Sequence, residues 1–478
     1  MAQTAESLEV PHICPSSASL INQLGLLHSL LRMYACEHTN FIRINRSLLP
    51  RSVERTRKSG YSRLFNARRL IKMSSENRVV VRAPIDRLGE PGHRIRSFFL
   101  TAILYGTPLL VVVQKYRSPP RDIFMKVCSF FGTEDFYTLI IPILLWIVDG
   151  RLGRLFLLLL AVGFYVTGIL KNTLCLPRPP SPAVVPLEVT SDWALPSLHA
   201  VNGVICPWYI FFYAYIHYEW TATMQTSLFL VTIVWSFMVM FSRLYLGVHS
   251  PADIVSGGFI GCGILAIWLQ VDVDIDTYVR TSNTAVLMVI VWSAILAFVH
   301  PHSQPYTLTY PDSVVLLGLS TGLVIGTSNF DLHVGASTAL LDRPNGFTLP
   351  QIIGLSVLRF VVGSSILLLV RIVMKKVCRP VISWCTLNCG LTPVSSSKIV
   401  VEHPTNMHYT PAFTLPGEIV ADKNKHNEKD ESMTAPRPSL ENSDRSVDID
   451  IPVKYIVYSC MGWFASQGAP LLFHLMAI

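Results

Sequence analysis

A chain of 478 residues, 51% hydrophobic and only 15% charged, with a mean hydropathy of +0.43, excludes a large soluble protein with an ordinary polar surface and points to lipid. The formal charge of +8 does not argue for nucleic acid, because the excess sits mainly between Arg43 and Arg96, ahead of the first apolar run, where basic residues mark the inner membrane face. The expected neighbour is an anionic leaflet, and no nucleic-acid partner is expected.

Residues 1–97 read as a basic cytosolic leader with a short amphipathic stretch near 20–33. The first forty residues lack the basic region and apolar core of a cleavable signal, so the first spanning helix would direct insertion. Apolar segments follow at 98–113, 137–148, 155–170, 201–216, 227–241, 254–269, 285–299, 314–325 and 352–370, with a marginal candidate at 453–478, giving nine spans or ten. A loop is expected between the first two, as far as about Phe136. Apolar side chains run continuously instead of alternating, so the fold class is all-α, a polytopic transmembrane helical bundle. Its divisions are 98–299 as the core, 300–375 as additional transmembrane helices, 376–452 as a polar segment read as disordered, and 453–478 as the candidate terminal helix.

Placing the leader in the cytosol leaves Arg151 and Arg154 cytosolic and sends Lys171 to the opposite face. The loops at 170–201 and 241–254 then share that face, so their polar clusters meet. The same alternation puts Arg371, Lys375, Lys376 and Arg379 on the lumenal side, against the positive-inside tendency. The ten cysteines form no close pair or metal-like ladder. Cys128, Cys175, Cys206 and Cys262 suit packing, while disulfides among Cys378, Cys385 and Cys389 stay open.

The first polar cluster runs from Lys171 to Pro179. A lysine ending an apolar helix is ordinarily a snorkelling anchor. Arg178, however, is set between prolines, and a placed guanidinium together with a mobile ammonium suits a phosphate dianion. The second is Pro196-Ser197-Leu198-His199, ahead of an apolar helix. Ser197 is either a plain N-cap or, with the backbone N–H at Leu198, part of an anion site at a helix start, where His199 stands ready to protonate a leaving oxygen. The third holds Arg243, His249 and Asp253. His249 and Asp253 are four residues apart, so on a turn leading into a helix the aspartate can hold one imidazole nitrogen and leave the other free to attack. A histidine merely capped by an aspartate at a membrane surface is the plainer alternative. Glu188 and Asp192 are not needed by this scheme and are read as solvating the loop. No metal or other cofactor is implied, since the spacing is not HExxH and no carboxylate cluster suits two divalent ions.

These stretches resemble the three signatures of the type 2 phosphatidic acid phosphatase (PAP2) superfamily: KxxxxxxRP at Lys171 to Pro179, PSxH at Pro196 to His199, and SRxxxxxHxxxD at Ser242 to Asp253. FGTEDFYTLIIPILLW and GFYVTGILKNTLCLPRPPSP are similar to the phosphatases of sphingosine and long-chain-base phosphates of the endoplasmic reticulum. The resemblance implies a bundle of the PAP2 and vanadium haloperoxidase-like type. It also implies phosphate binding by Lys171, Arg178, Arg243, Ser197 and the backbone at Leu198, with His199 as general acid, His249 as nucleophile and Asp253 as its orienting partner. Many members carry Gly or Ser where this chain has Leu198, which preserves the backbone donor but changes the pocket wall. The expected activity is metal-independent hydrolysis of a lipid phosphate monoester at a lumen-facing site of a multi-pass protein of the endoplasmic reticulum membrane, with sphingosine or dihydrosphingosine 1-phosphate as substrate. The alternatives are phosphatidate, a polyprenyl diphosphate or another lipid phosphate as substrate, and a transporter or scaffold with a vestigial anion site.

Overall fold

The computed structural model describes residues 88–180, 183–190, 192–302, 307–328, 339–341, 348–395, 446–476 and 478. The leader as far as residue 87, and the polar stretch 396–445, lie outside the described residues. Residues 386–394 and 446–447 belong to a separate compact unit, in which β1 (Thr392–Val394) pairs with β2 (Ser446–Asp448). Everything else described belongs to the other unit, which is helical.

Helix α1, Glu90–Gln114, starts inside the stretch assigned to the leader, with a proline in its first turn, where the missing N–H costs nothing. The segment expected as a loop before Phe136 is largely helix α2, Pro119–Phe130. Its two leading prolines start a helix as readily as they break one, and its buried side chains are Cys128 and Ser129. After a 52° bend, α3 begins at Glu134–Ile143 and continues as a π-helical turn, Leu144–Val148. Thr133 caps α3 by accepting from the Phe136 N–H, and Asp149 caps α4, Gly150–Leu174, by accepting from Arg151 and Leu152.

Helix α4 is the axis of the core. Leu155, Phe156, Leu159 and Leu160 are buried there, packed with Val201, Ile205 and Tyr209 of α5, Leu198–His217. Helices α6, Ala222–Tyr245, and α7, Pro251–Thr281, complete the group that carries the motifs. Small residues decide how closely α5 and α7 approach. A Cβ on Gly257 would lie 2.6 Å from the Ser197 carbonyl, and one on Gly261 would lie 3.1 Å from that of Val201. At the end of the bundle away from the motifs, Asp276 of α7 pairs with Arg154 at 3.0 Å and Arg151 at 3.4 Å, and Tyr213 and Tyr218 both donate to Asp149 at 2.8 Å.

The chain continues through α8 (Ala285–Val299), α9 (Thr309–Thr327), α10 (Leu349–Asn388), α11 (Asp450–Trp463), a second π-helical turn (Phe464–Gly468) and α12 (Ala469–Leu475). Helix α10 thus runs past the boundary placed at residue 375, because Val377, Val381 and Trp384 keep its apolar face going between the basic residues. Among the described residues, six helices are long and apolar enough to cross a membrane, or seven if the bent α2–α3 pair makes one span, against the nine or ten expected. The shortfall has physical causes: α8 has only 15 residues, and α5, though largely apolar, carries His199, Asn202, Pro207, His217 and three tyrosines. Among the described residues, Cys378 and Cys385 form no disulfide.

Candidate active site

The polar residues singled out in the sequence converge where four helix ends meet: the end of α4, the start of α5, the end of α6 and the start of α7. Helix α4 stops because Cys175 turns left-handed at φ 45°. Arg96 of α1 then caps it, donating to the carbonyls of Leu174 at 3.1 Å and Cys175 at 3.4 Å. Ser197 caps α5 by accepting from the Ala200 N–H, and its own N–H donates to the Asp253 carbonyl at 3.1 Å, stitching the starts of α5 and α7 together. The next N–H groups of α5, at Leu198 and His199, point out of the helix start without an intrahelical acceptor.

Between α6 and α7 the chain must turn within five residues to bring His249 back beside Arg243. Gly247 makes that possible at φ +70°, and a Cβ there would meet the Gln114 side chain at 2.5 Å and the Val185 carbonyl at 2.9 Å. Ser250 and Asp253 then form a capping box at the start of α7, with the Ser250 N–H donating to Asp253 Oδ2 at 2.7 Å.

His249 is 2% exposed, and its Nδ1 lies 3.4 Å from Asp253 Oδ2. That is an ion-pair distance and not a formed hydrogen bond, since Nδ1 has no hydrogen-bond partner among the described residues and Asp253 Oδ2 is already engaged by Ser250. The other nitrogen, Nε2, stands 2.9 Å from Arg178 Nη1. A guanidinium can only donate, so Nε2 carries the lone pair and the ring proton sits on Nδ1, facing the aspartate. Burial, reinforced by Arg178, Arg243 and Lys171, holds the His249 pKa well below its ordinary value. The imidazole is therefore neutral, with its lone pair directed at the cations.

Two of those cations are buried. Lys171 is 2% exposed and Arg243 is 3% exposed. Arg178 Nη1 also donates to the Val248 carbonyl at 2.6 Å. His199 presses its ring against Gly132 at the α2–α3 bend, where a Cβ would come within 2.8 Å of its Cδ2. Its Nε2 is buried without a hydrogen-bond partner among the described residues. Lys171, Arg178, Ser197, Leu198, His199, Arg243, His249 and Asp253 thus all stand at one end of the bundle.

Glu188 and Asp192, read from the sequence as loop solvation, are instead the ion-pair partners of the cations. Asp192 pairs with both Lys171 and Arg178, and Glu188 pairs with Arg243. Burial alone would raise the Asp192 pKa, but Lys171 and then Arg178 outweigh it and hold the carboxyl well below the usual range. Ser129 of α2 also accepts from Arg243 Nη1, and the Trp193 carbonyl accepts from Lys171 Nζ at 2.8 Å. A usable signal was present in the sequence, since a lysine and an arginine buried at helix ends require anionic partners and the intervening loop supplied two.

A helical bundle with apolar flanks, carrying buried cations and two imidazoles around one helix start, has the equipment of a membrane phosphatase. The PAP2 superfamily pattern matches residues 152–275. Over 394 residues the chain is 27% identical to lipid phosphate phosphatase delta of Arabidopsis thaliana, covering 80% of this chain and 90% of that protein. It is 30% identical to sphingosine-1-phosphate phosphatase 1 of Mus musculus, covering 73% of this chain and 70% of the relative. To a probable sphingosine-1-phosphate phosphatase of Dictyostelium discoideum it is 34% identical, covering 48% of this chain and 59% of the relative. The chain belongs to the PAP2 superfamily. It is a multi-pass membrane protein and a phosphatase of that group.

Proposed function

We propose that this protein dephosphorylates phosphorylated sphingoid bases, sphingosine or dihydrosphingosine 1-phosphate, through a phosphohistidine on His249. The observation that carries the reading is the placement of that imidazole: Nδ1 3.4 Å from Asp253 Oδ2 and Nε2 2.9 Å from the guanidinium of Arg178. The names of the relatives, sphingosine-1-phosphate and dihydrosphingosine 1-phosphate phosphatases among them, support the substrate class.

The phosphate enters the cradle of Lys171, Arg178 and Arg243, with Ser197 and the Leu198 N–H at the α5 start completing it. Arg178 leaves the nitrogen lone pair for a phosphate oxygen. Nε2 of His249 attacks phosphorus in line, forming the N–P bond as the P–O ester bond breaks, and Asp253 offsets the charge that develops on the imidazole. His199, protonated in the field of the bound dianion, gives its proton to the departing alkoxide, then takes one from the water that cleaves the N–P bond and releases phosphate. The cationic side chains stabilise charge on the equatorial oxygens, which is the main demand of phosphoryl transfer. We further propose that the site faces the lumen of the endoplasmic reticulum, with the Arg151 and Arg154 end in the cytosol, as the positive-inside rule favours.

The test is phosphate release from dihydrosphingosine 1-phosphate and from phosphatidate in mixed micelles containing a chelator. Wild type is expected to release phosphate faster from the sphingoid lipid, and His249→Ala to lose roughly a thousandfold or more of that rate. Equal release by the two proteins would remove the nucleophile from the scheme and favour a vestigial anion site in a transporter or scaffold.

A further inference from the structure

The cations that would hold phosphate are already paired with side-chain carboxylates. Asp192 bridges Lys171 and Arg178, and Glu188 engages Arg243. A phosphate dianion taken by the same nitrogens must displace them, and a carboxylate stripped of its partners in so enclosed a place is costly unless another cation replaces those it lost.

Asp192 differs from Glu188 in how its backbone is held. Arg178 Nε donates to the Asp192 carbonyl at 3.2 Å, and Lys171 Nζ donates to the next carbonyl, that of Trp193, at 2.8 Å. The main chain is thus pinned to the cradle independently of the carboxylate, which can swing off the cations without leaving the site. Its side chain is 29% exposed, against 2% for Lys171 and 16% for Arg178. Glu134 at the start of α3 and Asp312 in the first turn of α9 lie within electrostatic reach of it, with Lys454 acting on both, so the carboxylate has further polar groups facing it besides the cradle. Two buried nitrogens of the cradle, Arg243 Nε and His199 Nε2, have no hydrogen-bond partner among the described residues, so the cradle has donor capacity that the two carboxylates do not use.

Resting on the function proposed above, we infer that Asp192 is a specificity-determining residue: displaced by the phosphate, its carboxylate pairs with the ammonium of the sphingoid base. In these lipids the amine sits on the carbon next to the one bearing the phosphate ester, so a cation arrives beside the cradle together with the anion. Two ion pairs, Asp192 with Lys171 and Arg178, are exchanged for phosphate on the cations and ammonium on the aspartate. A lipid phosphate with no amine, or with its amine acylated, delivers the anion and leaves Asp192 unpaired. A site whose buried polar group goes unmatched rejects such an analogue more strongly than shape alone could.

The experiment compares kcat/KM of the purified full chain for dihydrosphingosine 1-phosphate and for its N-acetyl derivative, which keeps the phosphate and chain but removes the positive charge. Wild type is expected to prefer the free amine by about tenfold or more. Asp192→Asn is expected to bring that ratio close to one, and Asp192→Glu to restore much of it. Equal turnover of the two lipids by wild type would overturn the inference, as would an Asp192→Asn enzyme that keeps the wild-type ratio or loses the same factor on both. Release from neither lipid by wild type would overturn the functional reading itself, and the inference with it.

Discussion

At the scale of residues, His249 shows how place overrides ordinary chemistry. A free imidazole with a pKa of about 6.5 is mostly protonated at pH 5.5. Here burial and the surrounding cations lower the folded value, so the neutral form persists as the pH falls through 6.5 and is lost only below it. Spectra of ¹⁵N-histidine-labelled protein at pH 5.5 are expected to show His249 as the neutral Nδ1–H tautomer, and an imidazolium signature there would contradict the geometry. The motif residues were legible one by one because Lys171, Arg178, His199, Arg243, His249 and Asp253 are polar groups at the ends of apolar runs, where membrane proteins rarely place them without use. Asp192 and Glu188 were passed over because a carboxylate in a proline-rich loop has the composition of a solvated turn, and only its distance to a buried cation reveals otherwise.

At the scale of elements, small residues set the distances between helices that the apolar pattern leaves open. Gly318, Gly322 and Gly326 recur every fourth position along α9 and let α11 lie directly against it. A Cβ on Gly322 would fall 1.8 Å from the Ser459 carbonyl, and one on Gly462 would fall 2.2 Å from that of Leu319, so neither side can give way except by moving backbone. Gly322→Leu is expected to destabilise the protein by about 3 kcal/mol or more, at the upper end of overpacking costs, read as a lowered midpoint of thermal unfolding in detergent. An unchanged midpoint would mean that α9 and α11 are not in contact. The same close approach explains α12 and its preceding π-helical turn, which hydropathy alone left marginal: the Ala465 carbonyl accepts from Trp146 Nε1 at 2.8 Å, and Phe473 stacks edge-on against the same indole. Helix α2 was missed for a different reason, since its leading prolines read equally as loop and as helix start until the buried Ser129 is seen beneath Arg243.

At the scale of the whole molecule, the helical unit has two differently built ends. The site end gathers imidazole nitrogens without a hydrogen-bond partner among the described residues and cations paired with carboxylates, whereas the other end is closed by Arg151 and Arg154 on Asp276 and by tyrosines on Asp149 and Asp272. With the site facing the lumen as proposed, a cysteine introduced at the exposed Val189 is expected to react with an impermeant maleimide only after microsomes are opened, while one at the exposed Glu219 reacts in sealed microsomes. Reaction of Val189→Cys in sealed microsomes would invert the orientation. The order of the apolar segments follows from hydropathy along the chain, because insertion into a bilayer is a local, one-dimensional process.

The sequence by itself therefore determined that this protein is a helical membrane protein and which polar residues stand at its helix ends, since the cost of exposing backbone and charge to lipid acts on each segment separately. Tertiary structure alone decided what those residues face: Asp192 and Glu188 on the buried cations, Arg178 on the lone pair of His249, and His199 against Gly132. Such partnerships depend on distances between segments far apart in the chain, and the close helix approaches that set them come from packing, which no local pattern of polarity records.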